Sequence, residues 1–225
     1  MRKKQDVNGV LDLYAQNANR VDATHLANIY GALAEGVGDV EKLKIDDRFK
    51  MLLKSTIEKL QSTLEWFDVR GIATITHSLG KLKIFDERFF NEIEKLRKRI
   101  ANDRKPQALS NIVWACATVG WKSVELLEAV AGEYERIAKT GKVQELSNIT
   151  WAFAKLECNA DALFEAVAGQ HGRITGSGNV QDMSMTCWAF ATIGHKAKDL
   201  FKAVAAQPGR LVRDGHVLDL SNPLL

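Results

Sequence analysis

The sequence predicts an all-α protein, an α–α superhelical solenoid built from helical-hairpin repeats of 37 residues. The first observation is a recurring segment, which reads PQALSNIVWACATV at 106–119, VQELSNITWAFAKL at 143–156 and VQDMSMTCWAFATI at 180–193. The second is that the three copies begin 37 positions apart, a fixed period that is typical of stacked supersecondary units. The third is that 225 residues contain only three prolines, which favours long helices because proline breaks them.

Each repeat is expected to hold two antiparallel helices, A and B, and the recurring segment is helix A. Earlier copies of helix A are predicted at Leu26–Ala34 and Ile72–Leu82, with a polar insertion at Glu35–Asp47 between them. We expect one array over residues 1–225. Its parts are a half-repeat at 6–21, repeats at 22–65, 66–102, 103–139, 140–176 and 177–213, and a truncated repeat at 214–225.

Helix B is predicted from a second recurring motif. It reads LLEAVAG at 126–132, LFEAVAG at 163–169 and LFKAVAA at 200–206. Earlier B helices are expected at Phe49–Leu64 and Glu87–Ile100. Residues 6–20 are predicted to form a B helix whose own helix A does not precede it.

Positions in helix A are numbered from its repeated apolar residue, so position 1 is Leu109, Leu146 or Met183. Positions 1, 4, 8 and 11 are apolar in the copies at 106–119 and 143–156, which predicts a buried face. Position 7 is alanine in all three copies, which allows neighbouring helices to approach closely. Gly120 and Gly194 follow the last apolar residue and are predicted C-terminal stops.

An arginine recurs near the end of successive B helices. The column consists of Arg99, Arg136, Arg173 and Arg210, each 37 residues from the next. One interpretation is a row of guanidinium groups that contacts a phosphate backbone. The other is that each arginine meets the negative end of a helix dipole. An acidic column, Glu145, Asp182 and Asp219, lies just ahead of the next helix A and is a candidate partner for the row.

Three further columns lie on helix A. Position 6 is tryptophan at Trp114, Trp151 and Trp188, which either stacks on bases or packs in the core; packing is the preferred interpretation. Position 3 is asparagine at Asn28, Asn111 and Asn148. Position 5 varies and includes Thr76 and Thr150. A position that varies between fixed neighbours is expected to escape the packing constraint, so positions 3 and 5 either read bases or are merely exposed.

Charge gives a mixed indication for a nucleic-acid partner. The net charge is +3, from 31 basic and 28 acidic residues, which is too small to imply RNA binding by itself. Residues 106–140 and 141–176 each carry three basic and four acidic residues, fewer cations than phosphate binding favours. A basic cluster is the best candidate for RNA entry, with a solvated helix end as the alternative; it consists of Lys95, Arg97, Lys98, Arg99, Arg104 and Lys105.

Catalytic and metal motifs are weak. Gly176–Asn179 resembles a phosphate loop but lacks the following Lys-Ser/Thr pair. The five histidines have no metal-ligand spacing with the three cysteines. No apolar run approaches the ~18 residues of a membrane span. We therefore expect no enzyme activity, no cofactor, no metal and no membrane span.

The run L-S-N-I-x-W-A-x-A, found as LSNIVWACA and LSNITWAFA, resembles the heptatricopeptide and octotricopeptide repeat proteins. With its 37-residue step, the chain is similar to the repeat region of FAST-kinase-like proteins, many of which carry a RAP domain. The resemblance implies a non-catalytic organellar RNA-binding protein that holds single-stranded or ribosomal RNA in gene expression or ribosome assembly. It implies a mitochondrial location, with the plastid as the alternative.

A different class of function stays open beside RNA binding. The chain can serve as a protein–protein scaffold or structural subunit of a large organellar complex such as a mitochondrial ribosome. Gly215 begins a seventh unit that stops after half a helix, and a solenoid is not expected to end on an open apolar face. We therefore expect the array either to continue in a longer chain or to dock other ribonucleoprotein subunits at its ends. If it is a scaffold, the isolated chain is expected to aggregate or self-associate through Leu220, Leu224 and Leu225.

Overall fold

The computed structural model describes residues 6–62 and 67–210 of the chain. Every regular element in these residues is a helix, which confirms the predicted all-α class. The chain divides into two compact units, the first ending at Leu96 and the second beginning at Arg97. The truncated repeat predicted at 214–225, with Asp219 and the three C-terminal leucines, lies outside the described residues.

The described part of the first unit contains six α-helices. They are α1 (Val7–Asn17), α2 (Ala23–Gly36), α3 (Val40–Ile45), α4 (Asp47–Ser62), α5 (Val69–Lys81) and α6 (Glu87–Lys95). Helix α1 and a following 3₁₀ turn lie in the range of the predicted half-repeat, while α2 and α5 overlap the ranges of the two predicted A helices. Helix α3 lies inside the polar insertion, where no helix was predicted.

Helices α2 and α5 pack side by side, and α1 packs on α2 and α4. Tyr30 of α2 has no exposed surface, and its ring meets the ring of Phe49 edge-on at 6.4 Å. The Tyr30 hydroxyl donates to Thr56 Oγ1 at 3.2 Å, and burial raises the pKa of this tyrosine. The buried Tyr30 hydroxyl therefore has the hydrogen-bond partner that it requires, at the contact between α2 and α4.

Arg48, at the start of α4, connects α4 to α1 through hydrogen bonds. Its guanidinium donates to Asp12 Oδ1 at 2.5 Å and to Asn8 Oδ1 at 3.0 Å, both in α1. It also pairs with Asp46, and hydrogen bonding to Arg48 holds the pKa of that carboxyl at about 2. The position of α1 against α4 is thus fixed by polar contacts as well as by burial of Leu11 and Tyr14.

The described part of the second unit contains nine α-helices. They are α7 (Arg97–Ala101), α8 (Pro106–Val119), α9 (Val124–Ala131), α10 (Tyr134–Thr140), α11 (Val143–Lys155), α12 (Asp161–Ala168), α13 (His171–Ser177), α14 (Val180–Ile193) and α15 (Lys198–Ala205). The A helices α8, α11 and α14 pack in that order, with α11 in contact with both of the others. Position 7 of each is an alanine with no exposed surface, as predicted.

The prediction of one continuous B helix per repeat is wrong for several repeats. The helix expected at Glu87–Ile100 ends at Lys95 and a new one begins at Arg97. In the second unit, the breaks fall at 132–133 and 169–170. At these breaks, Glu133 N donates to Val130 O and Gln170 N donates to Val167 O, three residues back, which tightens the last turn and ends the helix. The second half of one B segment then packs on the first half of the next, as α10 on α12 and α13 on α15.

Four of the five described A helices end at a left-handed residue in register, whereas α2 ends at the extended Val37. Position 12 has a positive φ at Lys83 (50°), Gly120 (75°), Glu157 (51°) and Gly194 (73°). The backbone N–H of the next residue donates to a carbonyl five residues before it, as from Trp121 to Cys116 and from His195 to Phe190. This is the Schellman geometry, so the two predicted glycine stops are confirmed. Lys83 and Glu157 adopt the same conformation despite their side chains.

Position 12 gives opposite expectations for two substitutions. Gly120→Ala should lower the free energy of unfolding by about 1 kcal/mol, whereas Glu157→Gly should raise it by about 1 kcal/mol, because only glycine adopts positive φ without steric cost. Urea denaturation followed by far-UV circular dichroism measures both.

The matched control is Gly172→Ala, since Gly172 is an exposed helical glycine of α13 with no atom near the added Cβ. That substitution should stabilise by about 0.5–1 kcal/mol. If Gly120→Ala and Gly172→Ala change stability in the same direction, position 12 imposes no conformational constraint.

Candidate nucleic-acid interface

The arginine row of the second unit is bonded to backbone carbonyls of the preceding repeat. Arg136 donates to the carbonyls of Ala101 and Asp103 at the end of α7. Arg173 donates to the carbonyl of Ala138 at 2.7 Å and to that of Gly141 at 2.5 Å.

The third arginine of the row repeats this pattern. Arg210 donates to the carbonyls of Thr175 and Gly178 at the end of α13. Three guanidinium groups therefore make the same fork, each to two carbonyls at the end of a short helix.

These carbonyls belong to the last turn or the connection after it, where a helix leaves its backbone acceptors without intrahelical donors. The bonds agree with the interpretation that each arginine meets the negative end of a helix dipole. The helix concerned belongs to the preceding repeat, whereas the arginine's own helix was expected. Arg99, in α7, is half-buried. Phosphate contact by the row stays a prediction.

The chain approaches itself closely at the connection that Arg210 bonds. A Cβ added at Gly178 would lie 2.5 Å from Ile174 O and 2.8 Å from Val143 Cγ1. Only glycine fits this position without a shift of the backbone. The arginine fork and the glycine connector therefore occupy the same junction between consecutive repeats.

The acidic column does not pair with the arginine row. Glu145 accepts the backbone N–H of Lys142 at 2.9 Å, at the start of α11. Asp182 accepts the N–H of Asn179 at 3.1 Å, and Asn179 accepts that of Asp182 at 2.8 Å, which is a capping box at the start of α14. The acids are N-terminal helix caps, so the proposed pairing with arginine is wrong for both described members.

Position 5 is buried in α5, α8 and α11, so the expectation that it is exposed is wrong for these helices, whereas Cys187 at position 5 of α14 is half-buried. Thr76 and Thr150 have no exposed surface, and neither has Val113 at the same position. The Thr76 hydroxyl donates to Ile72 O at 2.8 Å, and the Thr150 hydroxyl donates to Leu146 O at 3.0 Å. Each threonine satisfies its hydroxyl within its own helix, which is why a polar residue is tolerated in a buried column.

Position 3 does reach the surface in two of the three regular repeats. Asn111 and Asn148 are half-exposed, whereas Met185 is buried. Sequence reasoning missed a neighbouring column, position −1, which is an exposed glutamine in each of α8, α11 and α14. The recurrence of glutamine at a 37-residue spacing was the signal that could have found it.

Positions −1, 3, 6 and 10 form one face of each A helix, since residues at i, i+4, i+7 and i+11 lie above one another. We call this surface the amide–indole stripe. It consists of Gln107, Asn111, Trp114 and Thr118 on α8, Gln144, Asn148, Trp151 and Lys155 on α11, and Gln181, Met185, Trp188 and Thr192 on α14.

The tryptophans of the stripe differ in exposure. Trp151 is 3% exposed, which confirms packing for that residue, while Trp114 and Trp188 are half-buried and keep an accessible edge. The Trp114 and Trp151 rings are 6.5 Å apart between centroids and tilted by 33°. The buried indole N–H of Trp151 makes no hydrogen bond to the described residues. A donor without a partner therefore lies beneath the middle of the stripe.

The predicted basic cluster is divided between the two units. Lys95, in the first, is exposed and pairs with Glu92 at 2.8 Å. In the second unit Lys98, Arg104 and Lys105 are exposed, while Arg97 and Arg99 are half-buried. Arg104 and Lys105 directly precede α8, next to one end of the stripe.

His77 and two cysteines have pKa values that burial shifts. His77 occupies position 6 of α5, and its pKa is lowered by burial and, to a lesser extent, by the positive charge of Lys81. Burial raises the pKa of Cys187 to about 11 and that of Cys116 further. Among the residues that the structure describes, no group of three or more histidine, cysteine or acidic side chains is placed to hold a metal ion.

Comparison with known proteins adds no assignment. No protein-family model matches the chain, and the curated proteins contain no match.

The arginine fork predicts a stability effect that a free surface cation would not show. Arg173→Lys should lower the free energy of unfolding by about 1–2 kcal/mol, because an ammonium group cannot bond both carbonyls with fork geometry. Tryptophan fluorescence in urea measures it, since four of the five tryptophans are in the second unit.

The control is Arg70→Lys, at an exposed position of α5, which should change stability by less than about 0.5 kcal/mol. Equal effects of the two lysine variants would mean that the carbonyl contacts of Arg173 contribute nothing measurable.

Proposed function

We propose that the chain is a non-catalytic RNA-binding module, an α–α solenoid of 37-residue repeats that holds single-stranded RNA on the amide–indole stripe. The observation that carries the proposal is the recurrence of glutamine at position −1 and tryptophan at position 6 on three adjacent helices, with asparagine at position 3 on two of them. Amide groups of Asn and Gln bond base edges, and aromatic rings stack on unpaired bases. Packed helix repeats that each address one base are an established way to bind single-stranded RNA.

The solenoid part of the proposal is supported by contacts that repeat with the sequence period. The arginine fork, the left-handed helix end and the alanine at position 7 each recur every 37 residues. Equivalent side chains thus meet equivalent neighbours in successive repeats of the second unit. Such nearest-neighbour repetition is the defining property of solenoid proteins.

Phosphate groups are proposed to lie along the end of the stripe where the A helices begin. Lys105 and Lys142 precede α8 and α11 and are both exposed. The N-terminal ends of packed helices add a positive potential. Lysines at this end can neutralise phosphates while the bases extend over Asn111, Asn148 and the tryptophan edges.

By its resemblance to heptatricopeptide and octotricopeptide proteins, the proposed setting is an organelle, the mitochondrion before the plastid. There the module would hold messenger or ribosomal RNA in gene expression or ribosome assembly.

A protein scaffold is the second candidate, and one observation favours it. Three arginines that would otherwise be available for RNA donate to backbone carbonyls, and the two most regular repeats carry more acids than bases. A surface of amides and indoles with few cations also suits a protein partner, since aromatic residues are enriched in protein interfaces.

Fluorescence anisotropy of the chain with a mixed single-stranded RNA pool, over a salt series, distinguishes the two candidates. RNA binding predicts an affinity that falls with salt. Lys105→Gln and Lys142→Gln should each reduce the slope by about 0.7. The double variant Asn111→Ala with Asn148→Ala should weaken binding about tenfold or more and leave the slope unchanged, because base contacts release no counterions.

The charge control is Lys54→Gln, an exposed residue of α4 in the first unit, which should bind as the wild type does. The absence of binding at low salt would refute the RNA proposal and favour the scaffold. In the same series, Arg136→Gln with Arg173→Gln tests the arginine row, since two phosphate contacts would lower the slope by about 1.4.

A further inference from the structure

An apolar groove of about 440 Å³ lies between α1 and α2 in the first unit. Val10, Leu13 and Tyr14 line it from α1, and Ile29 and Ala32 line it from α2. Leu13 is 65% exposed. The hydroxyl of Tyr14 is buried and makes no hydrogen bond to the described residues. The groove therefore combines exposed apolar surface with a polar atom that lacks a partner.

The α2 wall of this groove is exposed at positions that other A helices bury. Ile29 and Ala32 are positions 4 and 7 of α2, and both are half-exposed. In α5, α11 and α14 the residues at positions 4 and 7 are at most 3% exposed. The side chains at these positions are small or aliphatic throughout, so the difference comes from what covers them.

Positions 4 and 7 share a helix face with position 0, and in α14 position 0 is Asp182, which bonds Ser147 of the preceding A helix. In α11 and α14 this face therefore meets the preceding A helix. Helix α2 packs on α5, α8 packs on α11, and α11 packs on α14. The main helix contacts of α2 are instead with α5, which follows it, and with α1. Burying apolar surface against a matching helix is favourable, so the uncovered wall is a suitable docking surface.

We propose that the groove between α1 and α2 is the docking site for an amphipathic helix of the A type, supplied by a partner polypeptide. The partner helix covers Leu13, Ile29 and Ala32 as a preceding A helix would. The proposal goes beyond RNA binding and depends only on the equivalence of α2 with the other A helices.

Two contacts between A helices of the second unit specify the chemistry of the partner. Ser147, at position 2 of α11, donates to Asp182, at position 0 of α14, at 3.2 Å. The equivalent of Asp182 in α2 is His25, whose side chain is 65% exposed. A serine at position 2 of the partner helix would therefore face His25, which can accept its hydroxyl hydrogen.

The tryptophan contact gives the second requirement. Trp114 and Trp151 bring position 6 of two adjacent A helices to a centroid distance of 6.5 Å. Position 6 of α2 is Gly31, where an added Cβ would meet no atom within 4 Å. The groove between α1 and α2 thus has room for a large aromatic residue at position 6 of the partner helix. Serine at position 2 with tryptophan at position 6 is the pattern of the chain's own segment at 106–119.

The test uses that segment as the probe. A fluorescein-labelled peptide of residues 106–119, capped at both ends and carrying Cys116→Ala, is titrated with the full chain. We expect a dissociation constant on the order of 10 µM, with a scrambled peptide at least about tenfold weaker.

Two matched variants locate the binding. Leu13→Glu places a carboxylate in the groove and should weaken peptide binding at least about tenfold. The peptide would remove water from the carboxylate, and this cost exceeds the gain from pairing with Arg20 or His25, which also line the groove. Ile45→Glu makes the same change at a residue that is 72% exposed and does not line the groove, and it should leave binding unchanged. Thermal unfolding of both variants checks that each remains folded.

Three results would overturn the proposal. The first is no binding of the peptide up to about 1 mM. The second is equal binding by the Leu13→Glu and Ile45→Glu variants. The third is a wild-type chain that sediments as a dimer while Leu13→Glu sediments as a monomer, because the occupant would then be a second copy of this chain.

Discussion

A guanidinium group shared between two backbone carbonyls of the neighbouring repeat is the contact on which the second unit depends. Short B segments end every few turns, and each end leaves carbonyls that no helical N–H can satisfy. Arg136, Arg173 and Arg210 supply those donors from the following repeat, and every bond spans 32 to 35 residues in sequence. The fork therefore satisfies the end of one helix pair and fixes the next pair against it in a single interaction.

This use of arginine shapes the surface that remains for a ligand. The three arginines that recur with the period are engaged by the backbone, so most of the accessible groups that recur with it are uncharged. Lys105 and Lys142, which are 37 residues apart and exposed, are the exception. Glutamine, asparagine and the edges of two tryptophans face outward from the A helices. A surface of this kind discriminates by hydrogen bonding and shape more than by charge, and its affinity depends on how well a partner matches it.

Much of the fold follows from the sequence, and the exceptions have physical reasons. The buried positions of helix A were predictable because they repeat as apolar residues at helical spacing. Its glycine ends were predictable because a left-handed backbone favours glycine. The break in the B helix was missed although Gly132 and Gly169 stand where α9 and α12 end, because the third copy of the motif ends at Ala206 and the glycine was not read as a stop. Variation at Thr150 suggested exposure, whereas a hydroxyl bonded within its own helix lets a polar residue pack as a small apolar one. The arginine row was found, but its acceptors were not, because every residue has a backbone carbonyl.

Because every residue has a backbone carbonyl, a chain held together by such contacts can gain or lose whole repeats. An arginine that bonds another side chain requires a matching residue in its neighbour, so copying one repeat would leave a donor or an acceptor without its partner. The fork of Arg173 requires only a carbonyl at the right place, which any repeat of the same length provides. Unequal recombination that duplicates or deletes a 37-residue block would thus create a complete junction at once, with no compensating substitution.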